Sequence, residues 1–337
     1  MARLPKFLTG FCLGAILIYL FYPENTTKQR TTRLVKYDRY IMPTYRTCSG
    51  IGNQMFRVAA LYGIGKYTQR TPAMDASQSC QQAYMSEIKS TFPRFYDLVK
   101  LKDPHSPTAE KVTFGDDCCM YQDPTIIPNS DADVLVLSGN FFQSFKYFGF
   151  AKPEIIELFQ FSEGVKLSAA KYARDLFGSD RSHKMCVHVR RGDFITDAYN
   201  LETKTEFLIP AMTSVHSHLR ANIKIDETSV VFIGIDEAYL ASLHLPKSEF
   251  KHIYRVNGKS RGEEMYFGTE YCDSILLTAS GSTFGWWIAY LSPRQVPVYY
   301  NEKVSKVPNF SKALHPNDYF LPEWHKLSLN DGFISIN

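Results

Sequence analysis

Met185-Cys-Val-His-Val-Arg-Arg-Gly-Asp-Phe194 starts as an apolar run and breaks into two arginines, a glycine and an aspartate. A run of five such residues, Met185–Val189, suits a strand buried on both faces. Comparable runs follow at Val230–Ile235, His252–Val256, Ser274–Thr278 and Val296–Tyr300, with helical stretches at Phe207–Leu219, Glu237–Leu243, Glu263–Tyr271 and Phe284–Leu291 between them. Continuous apolar strands separated by helices predict a parallel sheet covered on both sides. The first half repeats this less regularly. A helix is expected from Asn53 to about Tyr67, a strand at Val134–Leu137, and a helix from Ser162, a hydroxyl start, to Gly178, a glycine stop. The economical architecture is an α/β fold of two Rossmann-like lobes facing a cleft, residues 41–180 and 181–337. Ligands of such sheets sit outside the carboxyl ends of the strands, which directs attention to Arg190–Asp193.

Composition sets outer bounds. The chain has 337 residues, 45% hydrophobic and 21% charged, with a formal charge of +4. That balance excludes a disordered chain and a multi-span membrane protein, and so slight a charge gives no argument for nucleic acid. Long repeats and low-complexity tracts are absent from the sequence, against a solenoid.

The amino terminus is unusual. Phe7 to Tyr22 is sixteen residues without a charge, behind Arg3 and Lys6. An ideal helix of that length rises about 24 Å. Small residues suited to signal cleavage are missing at Leu20–Pro23, and a buried core helix would carry more of a polar face. We therefore expect a signal anchor, with 1–6 as a cytoplasmic tail and the polar, basic residues 23–40 as a stem. Basic residues also follow the span, but a long folded domain translocates largely regardless of such charge. Sequons stand at Asn25-Thr26-Thr27 and Asn309-Phe310-Ser311, and both need a secretory lumen to be glycosylated. A short span sorts toward thinner, early-secretory membranes. The expectation is a single-pass type II Golgi membrane protein with its body in the lumen. Beyond Cys12 lie six cysteines, which admit fifteen pairings. Cys186, inside an apolar strand, is expected to be a free buried thiol.

Four segments carry candidate chemistry. At the first strand tip stand His188, Arg190, Arg191, Gly192 and Asp193. Paired guanidiniums grip phosphate oxygens in a fork, and a glycine lets backbone approach a pyrophosphate. Asp193 can orient an arginine or accept a ligand hydroxyl. The same residues also suit a solvated turn or a chance adhesion tripeptide at Arg191–Asp193. The second segment is Ser280-Gly-Ser-Thr-Phe-Gly-Trp-Trp-Ile-Ala-Tyr-Leu291. Small hydroxylated residues before an apolar helix leave N–H groups for an anion, although caps alone favour them too; Trp286 and Trp287 are expected to pack rather than stack on a ligand. The third, Ser49-Gly-Ile-Gly-Asn-Gln-Met-Phe56, lacks the third glycine of a dinucleotide loop; Asn53 and Gln54 can bond a sugar or cap the helix. The fourth, Leu137-Ser-Gly-Asn-Phe-Phe-Gln-Ser-Phe-Lys-Tyr-Phe148, is a strand ending in an aromatic loop, mostly core. Metal chemistry finds little support. Asp131-Ala-Asp133 precedes its strand instead of following it, and the nine histidines show no metal-ligand spacing.

Together these segments resemble the galactoside α-1,2-fucosyltransferase family. VHVRRGDF at 187–194 is similar to the HxRRxD signature of enzymes that use GDP-fucose, which α-1,6- and protein O-fucosyltransferases share; GIGNQMF at 50–56, GNFFQSFKYF at 139–148 and STFGWW at 282–287 narrow the likeness. It runs from about Cys48 to Tyr300, departing at Ser49-Gly50-Ile51 and Phe232–Asp236. The resemblance implies a GT-B fold, a type II Golgi protein, GDP-β-L-fucose as donor, a glycan acceptor, inversion and no cofactor or obligatory metal. It implies His188, Arg190, Arg191 and Asp193 as catalytic and donor-site residues, Gly192, Ser282, Thr283 and Phe284 beside them, and Gly52, Asn53 and Gln54 on the acceptor side of the cleft. Alternatives are another acceptor, or a protein that binds a GDP-sugar or glycan without catalysis.

Overall fold

His183–His188, buried from its second residue onward, and Thr228–Ile233, buried throughout, are the buried strands that the middle of a parallel sheet requires. The computed structural model describes residues 32–45, 49–234, 236–307 and 314–337, and Arg33–Asn337 form one unit. Its first sheet holds β1 (Arg39–Pro43), β2 (Arg70–Asp75), β3 (Lys100–Lys102), β4 (Ala109–Val112) and β5 (Val134–Leu137), all parallel, in the order β3-β2-β1-β5-β4. The second holds β6 (His183–His188), β7 (Thr228–Ile233), β8 (Ile253–Val256), β9 (Ser274–Leu277), β10 (Val298–Asn301), β11 (His325–Asn330) and β12 (Phe333–Ile336) in the order β12-β11-β10-β9-β6-β7-β8, with β12 alone antiparallel.

Strand order reverses at one place in each sheet. In the second sheet β6 lies between β7 and β9, with His188 opposite Ile233 and Leu277. In the first, β1 lies between β2 and β5, with Pro43 opposite Leu137. Chain leaving such neighbours diverges to opposite sides, and the crevice it opens is where open α/β sheets bind ligands. The segments after β1, β5, β6 and β9 are the four that the sequence singles out.

A shared aromatic core joins the two sheets. Phe56, on the helix Ile51–Thr68, lies 4.5 Å from Trp286 and 5.1 Å from Trp287, ring centre to ring centre. Both tryptophans are fully buried. Trp287 Nε1 donates to the Gly52 carbonyl at 2.9 Å and Trp286 Nε1 to the Tyr319 carbonyl at 2.8 Å, so neither indole leaves a buried donor unpaired. They pack, as their sequence context suggests.

Several expectations need correction. Part of the stem belongs to the body: β1 begins at Arg39, the Val35 N–H donates to Tyr62 Oη at 3.0 Å, and the Tyr37 N–H donates to Thr71 Oγ1 at 2.7 Å. Cys186 is not a free thiol but is bonded to Cys272, with a Cα separation of 5.6 Å. Cys272 follows the helix Arg261–Tyr271 and leads into β9, the neighbour of β6, which brings the two cysteines to adjacent strands. Cys118 and Cys119 are also bonded to each other. The tail, the anchor at 7–22, the rest of the stem before Thr32, and the sequons at Asn25 and Asn309 lie outside the described residues. Among the described residues no helix is long and apolar enough to cross a membrane.

Candidate active site

β6 ends at His188, and the next five residues build one wall of a cavity of about 470 Å³. Gly192, with φ of +42°, turns the chain in a left-handed conformation that a side chain disfavours, so that the short helix Asp193–Thr196 starts at once. His188, Arg190, Arg191, Gly192, Asp193 and Phe284 all line this cavity. The two arginines are held differently. Arg191 Nε donates to Asp236 Oδ2 at 2.9 Å, its NH1 donates to the Thr203 carbonyl at 3.0 Å, and its guanidinium lies 4.1 Å from the centre of the Tyr239 ring. Asp236 is fixed in turn, because its other oxygen accepts the Tyr239 N–H and caps the helix Glu237–Ser242. Among the described residues Arg190 bonds only Asp193 through its side chain, NH2 to Oδ1 at 2.8 Å and to Oδ2 at 3.0 Å, and lies over Phe194.

Behind them, a threonine pair ties the strand tips. Thr278 Oγ1 donates to the His188 carbonyl at 2.7 Å and lies 2.8 Å from Thr203 Oγ1, which accepts the Arg190 N–H. His188 is buried, and burial, with Arg190 nearby, pushes its pKa down to about 3. The ring is therefore neutral at physiological pH, and among the described residues its Nδ1 has no hydrogen-bond partner. Glu264, on the opposite wall, is pushed up to about 7 by burial, against the lowering effects of the Gly234 N–H and of Arg190.

A second cavity, of about 510 Å³, shares Arg190, Asp193, Arg261 and Phe284 with the first. Its remaining walls come from both sheets: Gly52 and Asn53 after β1, Phe141 and Gln143 after β5, and Ser282 and Thr283 after β9. Gly52 permits this meeting. A Cβ placed there would stand 2.7 Å from Thr283 Oγ1 and 2.9 Å from the Phe284 nitrogen, so the starts of helices Ile51–Thr68 and Thr283–Tyr290 abut across the lobes.

Most of the sequence candidates thus converge on two connected cavities. Gln54 does not: it is fully buried and lines neither. Asp131, which bonds Arg39 at 3.1 Å, lines neither cavity. Among the described residues no group of three or more His, Cys, Asp or Glu side chains is arranged to hold a metal ion. Sequence reasoning missed Thr203, Asp236, Arg261 and Glu264. Asp236 sits at the end of an apolar strand, a signal of the kind that singled out Asp193; Arg261 and Glu264, early in an amphipathic helix, carry no such mark.

An α/β scaffold whose two parallel sheets aim their switch points at one arginine-lined cleft is suited to holding an anionic, phosphate-bearing ligand. The model of glycosyl transferase family 11 matches residues 36–328, and the chain belongs to that family. It is 29% identical to a galactoside 2-alpha-L-fucosyltransferase of Caenorhabditis elegans over 286 residues, covering 83% of this chain and 78% of the relative. With the galactoside alpha-(1,2)-fucosyltransferase 2 of Rattus norvegicus it shares 24% identity, covering 84% and 76%. Among solved structures it is similar to fucosyltransferase NodZ from Bradyrhizobium, with a TM-score of 0.48 and 16% identity over 77% of this chain and 94% of that one.

Proposed function

We propose that the protein transfers L-fucose from GDP-β-L-fucose to the 2-hydroxyl of a terminal β-galactoside on a glycan, with inversion and without a metal ion. Membership of glycosyl transferase family 11 and the activities named for its relatives support the reaction. The observation that carries it is the pair of cavities meeting at Arg190 and Asp193. One suits a nucleoside diphosphate and the other a sugar acceptor. The fold is read as GT-B. The apolar segment 7–22 supports a Golgi anchor with the body in the lumen.

In this reaction the bond from the fucose anomeric carbon to the β-phosphate oxygen breaks, and its electron pair leaves with GDP. A new bond forms from that carbon to the acceptor oxygen on the opposite face, and the proton of the acceptor hydroxyl passes to water. Negative charge grows on the departing phosphate. Arg191, already locked by Asp236 and Thr203, presents fixed positive charge to it, Arg190 adds a second guanidinium that can leave Asp193 for the phosphate, and the N–H groups at the helix start Ser282–Thr283 add their dipoles. Neutral His188 serves as a hydrogen-bonding side chain of the donor wall; with a pKa of about 3 it is too weakly basic to take the acceptor proton.

The test is incubation of the lumenal body with GDP-fucose and a panel of galactosides, with and without a chelator, followed by linkage and anomer analysis. An α-1,2-fucosylated product formed equally with chelator is expected. GDP binding with no transfer to any acceptor would overturn the enzymatic reading. A product linked elsewhere would move the acceptor assignment, and activity abolished by the chelator would overturn metal independence.

A further inference from the structure

The loop Gly139–Gln143 looks like core in the sequence, yet the structure spends unusual resources on holding it. Phe142 has φ of +51°, a left-handed conformation that costs energy for an aromatic residue, and its ring is fully buried beside Phe114 and Tyr147. That turn sends Phe142 inward while its neighbours Phe141 and Gln143 line the second cavity. Arg57 braces the loop from behind. It is fully buried, donates from Nε to the Asn140 carbonyl at 3.0 Å and from NH2 to Asn140 Oδ1 at 2.6 Å, and lies 5.1 Å from the Phe141 ring centre. A buried cation that bonds this loop, with the loop held in a strained turn, is the mark of a positioned site.

The groups presented there form two kinds of surface. Gln143 Nε2 donates to Asn53 Oδ1 at 2.7 Å, and its Oε1 lies 3.5 Å from Cys119 Sγ and 3.8 Å from Cys118 Sγ. One hydrogen bond between the Asn53 and Gln143 amides leaves further N–H donors and oxygen lone pairs on the pair. Beside them the bonded Cys118–Cys119 pair and Phe141 offer an apolar face. A hexose has matching chemistry, with hydroxyls on its rim and a patch of C–H on one face.

We propose that Gln143, Asn53, Phe141 and the Cys118–Cys119 pair form the subsite that recognises the acceptor hexose. The amide pair reads its hydroxyls, and the disulfide and phenyl ring take its C–H face. This rests on the reading that the second cavity holds the acceptor, and it names the residues that select it. The Cys118–Cys119 bond acts here as an apolar wall, and its position is fixed from two sides: the Gln143 N–H donates to the Cys118 carbonyl at 2.8 Å, and the Cys119 carbonyl accepts the His315 N–H at 3.3 Å.

Two measurements test it. The first compares the wild-type protein with Gln143→Ala and with Cys118→Ser/Cys119→Ser, using lactose and GDP-fucose. For Gln143→Ala a rise in the KM for lactose of about tenfold, the usual effect of losing one good hydrogen bond, is expected, and for the double serine variant a several-fold rise from the lost apolar wall, in both with GDP affinity unchanged. An unchanged KM for lactose, or an equal loss of GDP affinity, overturns the subsite. The second needs neither turnover nor a variant. Reduction of Cys118–Cys119 by a phosphine, read by alkylation and mass spectrometry, is expected to slow several-fold when lactose is present with GDP. If the variants fail to fold, this protection decides alone, and its absence across a panel of neutral sugars overturns the proposal. Should the wild type transfer fucose to no galactoside while another sugar protects the disulfide, the subsite stands and the galactoside assignment falls.

Discussion

Replacing Gly52 by alanine separates stability from catalysis, and the structure gives the size of each effect. The added Cβ would stand 2.7 Å from Thr283 Oγ1, 2.8 Å from the Thr283 carbonyl carbon and 2.9 Å from the Phe284 nitrogen. Two of those atoms are backbone, so they cannot swing aside, and overpacking of that kind costs about 1–3 kcal/mol. Against this, alanine gains roughly 0.5–1 kcal/mol over glycine within a helix. The net loss is about 1 kcal/mol. For a body of roughly 300 residues, with an unfolding entropy near 2.1 cal/mol/K per residue, that lowers Tm by only about 2 °C. The catalytic effect is larger, because the strain is relieved by pushing the Thr283–Tyr290 helix start away from the Ile51–Thr68 helix start, and Thr283 and Phe284 line the cleft. A misplacement near 1 Å costs on the order of a hundredfold in rate. The matched control is Gly164→Ala, where nothing lies within 4 Å of the new Cβ; it should keep full activity and melt slightly higher. Calorimetry and steady-state fucosyl transfer give both numbers. If Gly52→Ala behaves like the control, with full activity and a raised Tm, the close approach of the two helix starts is wrong.

Arg190→Ala is expected to lower fucosyl transfer about a hundredfold or more and to weaken GDP binding while melting stays cooperative, and Arg190→Lys should recover only part because it lacks the fork; unaltered GDP affinity and rate in both would remove Arg190 from the donor site. The Cys186–Cys272 bond closes a loop with a sequence separation of 86, so its loss in Cys186→Ala/Cys272→Ala should cost about 4 kcal/mol in denaturant unfolding, and an unchanged midpoint would show that the bond does not form. Glu264 makes stability depend on pH: its folded pKa of about 7 lies above the ordinary 4.5, so its contribution is fully present below pH 4.5 and is lost as pH rises through 7, by about 3 kcal/mol. Glu264→Gln should flatten that part of the profile, and an unchanged profile would place the carboxyl in water.

β6, β7, β9 and β10 of the second sheet were legible because they are buried almost throughout and therefore spell themselves as largely apolar runs, whereas β11 and β12, only partly buried, carry no such run and were not predicted. Val134–Leu137 in the first sheet is read for the same reason. The other strands of that sheet are not. β2, Arg70-Thr-Pro-Ala-Met-Asp75, carries two charges and a proline yet is wholly buried. Arg70 reaches the carbonyls of Tyr40, Ser130 and Ala132 at 2.7 to 3.2 Å, and those partners are distant in sequence. The candidate site divides in the same way. His188 to Asp193 stand out because an apolar run ends abruptly in two arginines, a glycine and an aspartate, although a solvated turn can have the same composition. Asn53 and Gln143 bond each other across 90 positions, a fact no local pattern contains. Gln54, adjacent to Asn53 and equally polar, turns inward, since one step along a helix rotates a side chain by about 100°.

On the proposed reading that Arg190 and Arg191 hold the donor, their unequal anchoring confines reorganisation at each turnover to one of the two. Arg191 is held by a carboxylate, a carbonyl and an aromatic face, and Asp236 is itself pinned by the helix it caps. Moving that guanidinium would break several partly buried contacts at once, so its charge is in place before a ligand arrives, as transition-state stabilisation requires. Arg190 is held by Asp193, whose side chain is 68% exposed. An exposed pair of this kind is worth roughly 0–1 kcal/mol, so exchanging Asp193 for a phosphate oxygen costs little and can be reversed when GDP leaves. Two arginines of the first kind would leave no exchangeable carboxylate to compete with the product phosphate; two of the second kind would both reorganise with each donor. One locked and one exchangeable guanidinium at the same strand tip combine a fixed field with release.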